Sequence, residues 1–245
     1  MDYDAYVRTI REDTDRLADA AEEAGLAAAV PACPGWTVAE LTQHIGNVQR
    51  TWTQHVTRRS TEPPDFTAAH EAAPDSDERF EWVRRGGHAL ADALAATPET
   101  TPMWVFTGTG TVRFWARRQA HEITVHRCDA EFAAGRLGSI DADLAADGVN
   151  EYFELLERMP AAQAATGAGE TIHFHCTDRD VEWLAVITEN GIELRREHAK
   201  GDVAVRGPAN AVLLAVWNRI GPDNPELEVF GDAEILERWR RLTPI

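Results

Sequence analysis

Glu122 and His126 are the pair in this sequence whose types and spacing best suit shared chemistry. They sit in the run Arg117-Arg118-Gln119-Ala120-His121-Glu122-Ile123-Thr124-Val125-His126-Arg127-Cys128-Asp129. At ~100° per residue, an i, i+4 pair lies within ~40° on one face of a helix, whereas His121 and His126, five apart, diverge by ~140°. The run therefore misses the metalloprotease pattern H-E-x-x-H by one residue, and that reading fails on geometry. An i, i+4 Glu/His pair is also a common surface ion pair, so a third donor has to decide. His44 is the best candidate, because it borders the apolar stripe of Leu41, Ile45 and Val48 on another helix. Two histidines and a carboxylate would leave one zinc position open for water or substrate. Taken alone, His44 reads more simply as a core histidine with its hydrogen bonds satisfied than as a ligand.

Several helices must hold these residues. From Tyr3 to about Met159 apolar residues recur at helical spacing. Helices are expected over 3–29, 38–58, 77–97, 112–134 and 141–158, forming an up-and-down bundle. Thr37 and Glu40 have capping-box spacing, and Trp36 is placed to staple onto Leu41, so His44 falls two turns into a well-defined helix. Gly108-Thr109-Gly110 reads as a turn, and the Pro-rich stretch 60–76 as a surface loop.

After an Ala/Gly linker over 161–169 the apolar period changes to two. Strands are expected over 171–177, 182–188, 192–197, 202–206 and 227–230, with helices over 209–219 and 231–241. Asn190-Gly191 carries a type I′ hairpin signal. The fold class is thus α+β: a helical domain over 1–160, then a small domain over 168–245 with a mainly antiparallel sheet. His173 and His175 share one strand face, either to meet a ligand or as exposed sheet histidines without a role.

Composition narrows the partners. The chain has 245 residues, 44% hydrophobic, and a formal charge of −17, a field that disfavours nucleic acid and anionic membranes. An acidic surface of this kind fits a monomer. No run approaches the ~20 apolar residues of a spanning helix, and the N-terminus is acidic where a signal peptide would be basic. Cys33, Cys128 and Cys176 are scattered, which suits reduced thiols and a cytoplasmic location. Cys128 lies ~200° round the helix from His126 and is expected in the core.

Four segments together resemble the mycothiol-dependent maleylpyruvate isomerase family. They are Pro34-Gly35-Trp36-Thr37 running on to His44, Glu122-Ile123-Thr124-Val125-His126-Arg127-Cys128-Asp129, His173-Phe174-His175-Cys176-Thr177-Asp178, and Val229-Phe230-Gly231-Asp232. The resemblance runs nearly end to end. It implies a DinB-like metal-binding helical bundle followed by a sterol-carrier-like domain. The family's metal triad then falls on His44, Glu122 and His126, the same three residues the spacing suggests. It also implies Zn²⁺ and mycothiol as cofactors: the metal would hold the thiol deprotonated, and the thiolate would attack a small electrophile. The outcome would be cis–trans isomerisation or thiol transfer. An arginine from the second domain is implied near the site. Arg219 is preferred over Arg206, although Asn218 stands where the pattern expects a glycine. Asp129, seven residues beyond Glu122, either holds a histidine ring or is a solvated helix charge. The competing functions are a thiol-independent metal hydrolase using zinc-bound water, and a small-molecule-binding protein built on the second domain.

Overall fold

Asp2 opens the first helix by accepting from the Ala5 amide at 2.7 Å. The computed structural model describes residues 1–106 and 108–243, with the backbone alone for Ala161. These form two compact units, Met1–Gly138 and Ser139–Ile245. Among the described residues, no helix is long and apolar enough to cross a membrane.

The first unit contains α1 (Tyr3–Ala24), α2 (Val38–Arg58), α3 (Glu78–Ala95), β1 (Pro102–Val105), β2 (Gly108–Thr111) and α4 (Val112–Ala133). Helix α1 packs on α3 and α4, and α2 packs on the same two helices. Their apolar faces share one core that includes Leu17, Leu41, Ile45, Leu90 and Trp115.

Helix α1 stops five residues short of the expected end. Gly25 takes φ +80°, and the chain then turns back to meet the entry of α2. There the Val38 amide donates to the Ala28 carbonyl and the Ala39 amide to that of Leu26. The Gly108 to Gly110 stretch is strand β2, not a turn, with Gly110 facing Met103 of β1. A Cβ at Gly110 would lie 2.7 Å from the Val105 side chain, so glycine here permits close strand approach rather than chain reversal.

Buried charge locks α4 to α1. Arg127 is fully buried and lies 3.5 Å from Asp13 of α1 and 3.2 Å from Glu131. Thr124 donates its hydroxyl hydrogen to Asp13 at 2.7 Å. Deleting one partner of such a pair strands a buried charge, at a cost of about 3–5 kcal/mol. The result is a fixed rotation of α4 about its own axis.

The second unit begins earlier than the expected boundary at 160–168. It holds α5 (Ala142–Leu156), α6 (Pro160–Ala164), β3 (Glu170–Cys176), β4 (Glu182–Thr188), β5 (Gly191–Arg195), β6 (Val203–Gly207), α7 (Ala209–Val216), β7 (Glu228–Gly231) and α8 (Ala233–Leu242). Helix α5, read from sequence as the fifth bundle helix, packs on α7 instead. Its Phe153 stacks on Trp183 of β4 and meets Phe174 of β3. Periodicity identifies an amphipathic helix but not the core that its apolar face joins. Part of the expected linker is helical as α6.

The sheet runs β5-β4-β3-β6-β7; β3 and β6 are parallel and every other pair is antiparallel. The β4–β5 hairpin closes at Thr188 and Gly191 as expected. It is not type I′, however, because only Gly191, at φ +125°, leaves the negative-φ region, whereas that turn needs both central residues there.

Close packing also fixes α2, the helix that carries His44. Gly46 lies against the Trp82 ring of α3, where a Cβ would sit 1.8 Å from a ring carbon, and Arg50 stacks over the same ring at 3.7 Å. Alanine is the better helix former by about 1 kcal/mol. We expect Gly46→Ala nonetheless to destabilise the protein by about 1–3 kcal/mol, because Trp82 must move. Chemical denaturation measures this; an unchanged or raised midpoint would show that the α2–α3 contact is loose.

Candidate metal centre

The site grows from the loop that enters α2. The Trp36 amide donates to the Cys33 carbonyl at 2.9 Å across Pro34-Gly35, and Gly35 has φ +85°. Proline followed by a positive-φ glycine is the arrangement of a type II turn. The Val30 amide then donates to the Trp36 carbonyl. Thr37 caps α2: its amide donates to Glu40 at 2.8 Å, and its hydroxyl contacts the same carboxylate. Turn and cap together fix Cys33, Trp36 and the first turns of α2.

His44 of α2 meets Glu122 and His126 of α4. His44 Nε2 is 3.2 Å from Glu122 Oε1, and His126 Nε2 is 3.4 Å from the same oxygen. The two imidazole rings are 5.0 Å apart. One donor atom from each of the three residues lies within 4.8 Å of the others. Exposure grades across the group: the His44 side chain is 36% exposed, Glu122 22% and His126 11%. Small molecules therefore have access on the His44 side. Trp36 flanks both rings, tilted at 5.2 Å from His44 and near-parallel at 6.3 Å from His126.

Asp129 determines how His126 presents itself. Its carboxylate is wholly buried and lies 2.9 Å from His126 Nδ1. An ionised carboxylate only accepts, so Nδ1 carries the hydrogen and Nε2 faces Glu122. Arg118, one turn before Glu122, donates to Glu122 Oε2 at 2.7 Å. That leaves Oε1 as the oxygen shared with both histidines. Burial pushes the Glu122 carboxyl up, but hydrogen bonds from His126 and His44 and the charge of Arg118 outweigh it and hold the group well below the usual carboxylate range. Burial likewise pushes His126 down, but the Asp129 and Glu122 carboxylates outweigh it and raise the group to about 9.

This donor set fits a divalent ion. Two imidazoles and one carboxylate converge, the carboxylate is ionised, and a second carboxylate supports one of the rings. A second candidate set, Cys33, His126 and Asp129, shares His126. It would use the nitrogen already committed to Asp129, with Cys33 Sγ 3.5 Å from that carboxylate. The set facing His44 keeps this support intact and is the more open of the two.

Other residues singled out from sequence fall elsewhere. His121 is buried with its ring against Tyr6. Cys128 is buried as expected, and burial raises its thiol to about 12. Arg219, in the second unit, donates to the Trp217 carbonyl at 2.8 Å. Arg206 is exposed and paired with Glu228 at 3.2 Å. Asn218 takes φ +59°, a left-handed conformation that glycine favours and asparagine tolerates, which accounts for asparagine at that position. Sequence reasoning missed Arg118, although its i, i+4 spacing from Glu122 was a usable signal. It also missed Cys33, which no local pattern brings to Asp129.

Comparison with known proteins bears on the family and the fold of the chain. Residues 7–131 match a family model described as the mycothiol maleylpyruvate isomerase N-terminal domain, and residues 143–238 match the MDMPI C-terminal domain. The second match starts inside α5, in keeping with that helix's place in the second unit. A solved structure of the mycothiol-dependent maleylpyruvate isomerase is 14% identical with a TM-score of 0.61, covering 94% of this chain and 93% of that one. A histidine-to-alanine mutant of that enzyme gives a TM-score of 0.63 at the same identity and coverage. No curated protein sequence matches the chain.

Two outcomes follow from the site's electrostatics. Because His126 is raised to about 9, it is protonated at pH 7 in metal-free protein, and an ion must displace the Nε2 proton. Zinc binding should therefore release about one proton, and affinity should rise about tenfold per pH unit up to pH about 9. Calorimetry in buffers of differing ionisation heat reads the proton count; a count near zero contradicts it. Asp129→Asn should weaken zinc about 10–100-fold, measured by chelator competition.

Proposed function

The chain belongs to the mycothiol maleylpyruvate isomerase family, and on that premise we propose that it is a metal- and mycothiol-dependent enzyme centred on His44, Glu122 and His126. The observation that carries this reading is the convergence of His44 Nε2 and His126 Nε2 on a single Glu122 oxygen. Zinc is the ion the donor set favours, and when bound it would supply a Lewis acid that keeps a coordinated thiol ionised and nucleophilic at neutral pH.

The chain's own residues do the positioning. Asp129 keeps the Nδ1 hydrogen on His126 and so holds the ring with Nε2 directed at the site. Arg118 occupies one oxygen of Glu122 and leaves the other for the site. Trp36 shields the histidine rings on one side, which limits water there. Neither Cys128 nor Cys176 competes as nucleophile by this reading, because burial raises both thiols to about 12, and the reading assigns the nucleophilic sulfur to mycothiol. Arg219 is the proposed cation for an anionic substrate.

The same thiolate chemistry serves two outcomes. Addition to a conjugated double bond followed by expulsion gives cis–trans isomerisation; capture of the adduct gives thiol transfer. The family's name favours isomerisation of maleylpyruvate, and the electrophile assay should begin there.

Zinc-loaded protein titrated with mycothiol should show saturable binding, and His44→Ala should weaken it at least about a hundredfold, about 2.7 kcal/mol. Tight zinc without thiol binding would overturn the mycothiol reading and favour zinc-activated water.

A further inference from the structure

We propose that the C-terminal unit contains a second metal site, formed by His173, His175, Glu182 and His198, that holds a zinc-like divalent ion and ties the β5–β6 connection to the sheet. These four residues are separate in sequence and play no part in the centre described above. His173 and His175 are two apart on β3 and so share one face of the sheet. Glu182 opens β4 directly opposite His175 in the register. His198 arrives from the connection between β5 and β6.

All four side chains converge. His175 Nδ1 is 2.9 Å from Glu182 Oε1, His173 Nε2 is 3.1 Å from Oε2, and His198 Nδ1 is 2.5 Å from that same Oε2. One donor atom from each lies within 4.8 Å of all the others. Three imidazoles thus crowd a single carboxylate. A protonated imidazole supplies one charge to this group, but two or three protonated together would repel one another at these distances. A divalent ion serves all three nitrogens and the carboxylate at once. Three nitrogens and one oxygen are donors that suit zinc among the common divalent ions, and four protein ligands make a closed site, the kind used for structure rather than catalysis.

The placement of the ligands shows what the ion would do. His173 is 6% exposed on the central strand of the sheet, whereas the His198 side chain is 80% exposed. The connection over 196–202 has no regular structure, and its far end is pinned where Asp202 accepts from the Thr171 amide and hydroxyl at 2.8 and 2.7 Å. Its near end is held through His198. An ion would convert that single contact into a coordinated anchor.

Zinc stoichiometry tests this without any activity measurement. Stripped full-length protein is reloaded against a chromophoric zinc chelator, alongside His175→Ala/His198→Ala and His44→Ala. We expect two equivalents withheld by the wild type and one by each variant. The double variant removes partly exposed side chains and should keep the metal-free melting temperature, which checks its fold. As a readout that needs no variant, zinc should slow amide hydrogen exchange over 196–201 in the wild type. If the double variant withholds as much zinc as the wild type, or if exchange over 196–201 ignores zinc, the second site is overturned. The two centres fail separately: one equivalent lost only in His44→Ala removes this site, and one lost only in the double variant removes the first.

Discussion

A fully buried carboxylate, Asp129, fixes the nitrogen that His126 presents, and the candidate centre depends on that contact. If Asp129 did not hold the Nδ1 hydrogen, His126 would be free to exchange tautomers, and Nε2 would not consistently face Glu122. Burying an anion is costly, and the protein offsets the cost by giving it a partner that is itself oriented. Four successive residues of α4 divide the work. His126 faces the site, Arg127 locks the helix to Asp13 of α1, Cys128 fills the core, and Asp129 returns to His126. A rotation of α4 by one residue, ~100°, would break all four relations together.

The helix α2 meets that constraint from the other side. A type II turn at Pro34-Gly35, a capping box at Thr37 and Glu40, and the Gly46–Trp82 contact set its start, its direction and its depth. His44 then needs no buried partner of its own, and it is the most exposed of the three donors. One rigid, supported histidine and one accessible histidine suit a site that must keep an ion and admit a small molecule.

Much of this was legible in the sequence, and the failures have physical reasons. Helical period identified α2 and α4, and i, i+4 spacing paired Glu122 with His126, because both follow from local geometry. The cap at Thr37 was equally local. Pairing His44 with α4 was proposed from its place beside the apolar stripe of α2 and strengthened by the resemblance, since no local rule brings residues 78 positions apart together. The placement of α5 was misread because an amphipathic face does not say which core it joins. The hairpin of β1 and β2 was missed because Gly108-Thr109-Gly110 has turn composition, and the contact with Val105 explains Gly110 only once the strands are paired. His173 and His175 were seen to share a face, but Glu182 and His198 reach them only through strand register and a loop.

The central claim is that the open position at His44, Glu122 and His126 receives an external thiolate. The most direct measurement is X-ray absorption at the zinc edge of protein carrying one zinc in this centre, with and without mycothiol. The account predicts a shell of nitrogen and oxygen neighbours alone in the free protein, and one new sulfur neighbour at about 2.3 Å once mycothiol is added. A shell unchanged by mycothiol would contradict it, as would a sulfur already present beforehand, which would place the ion at Cys33.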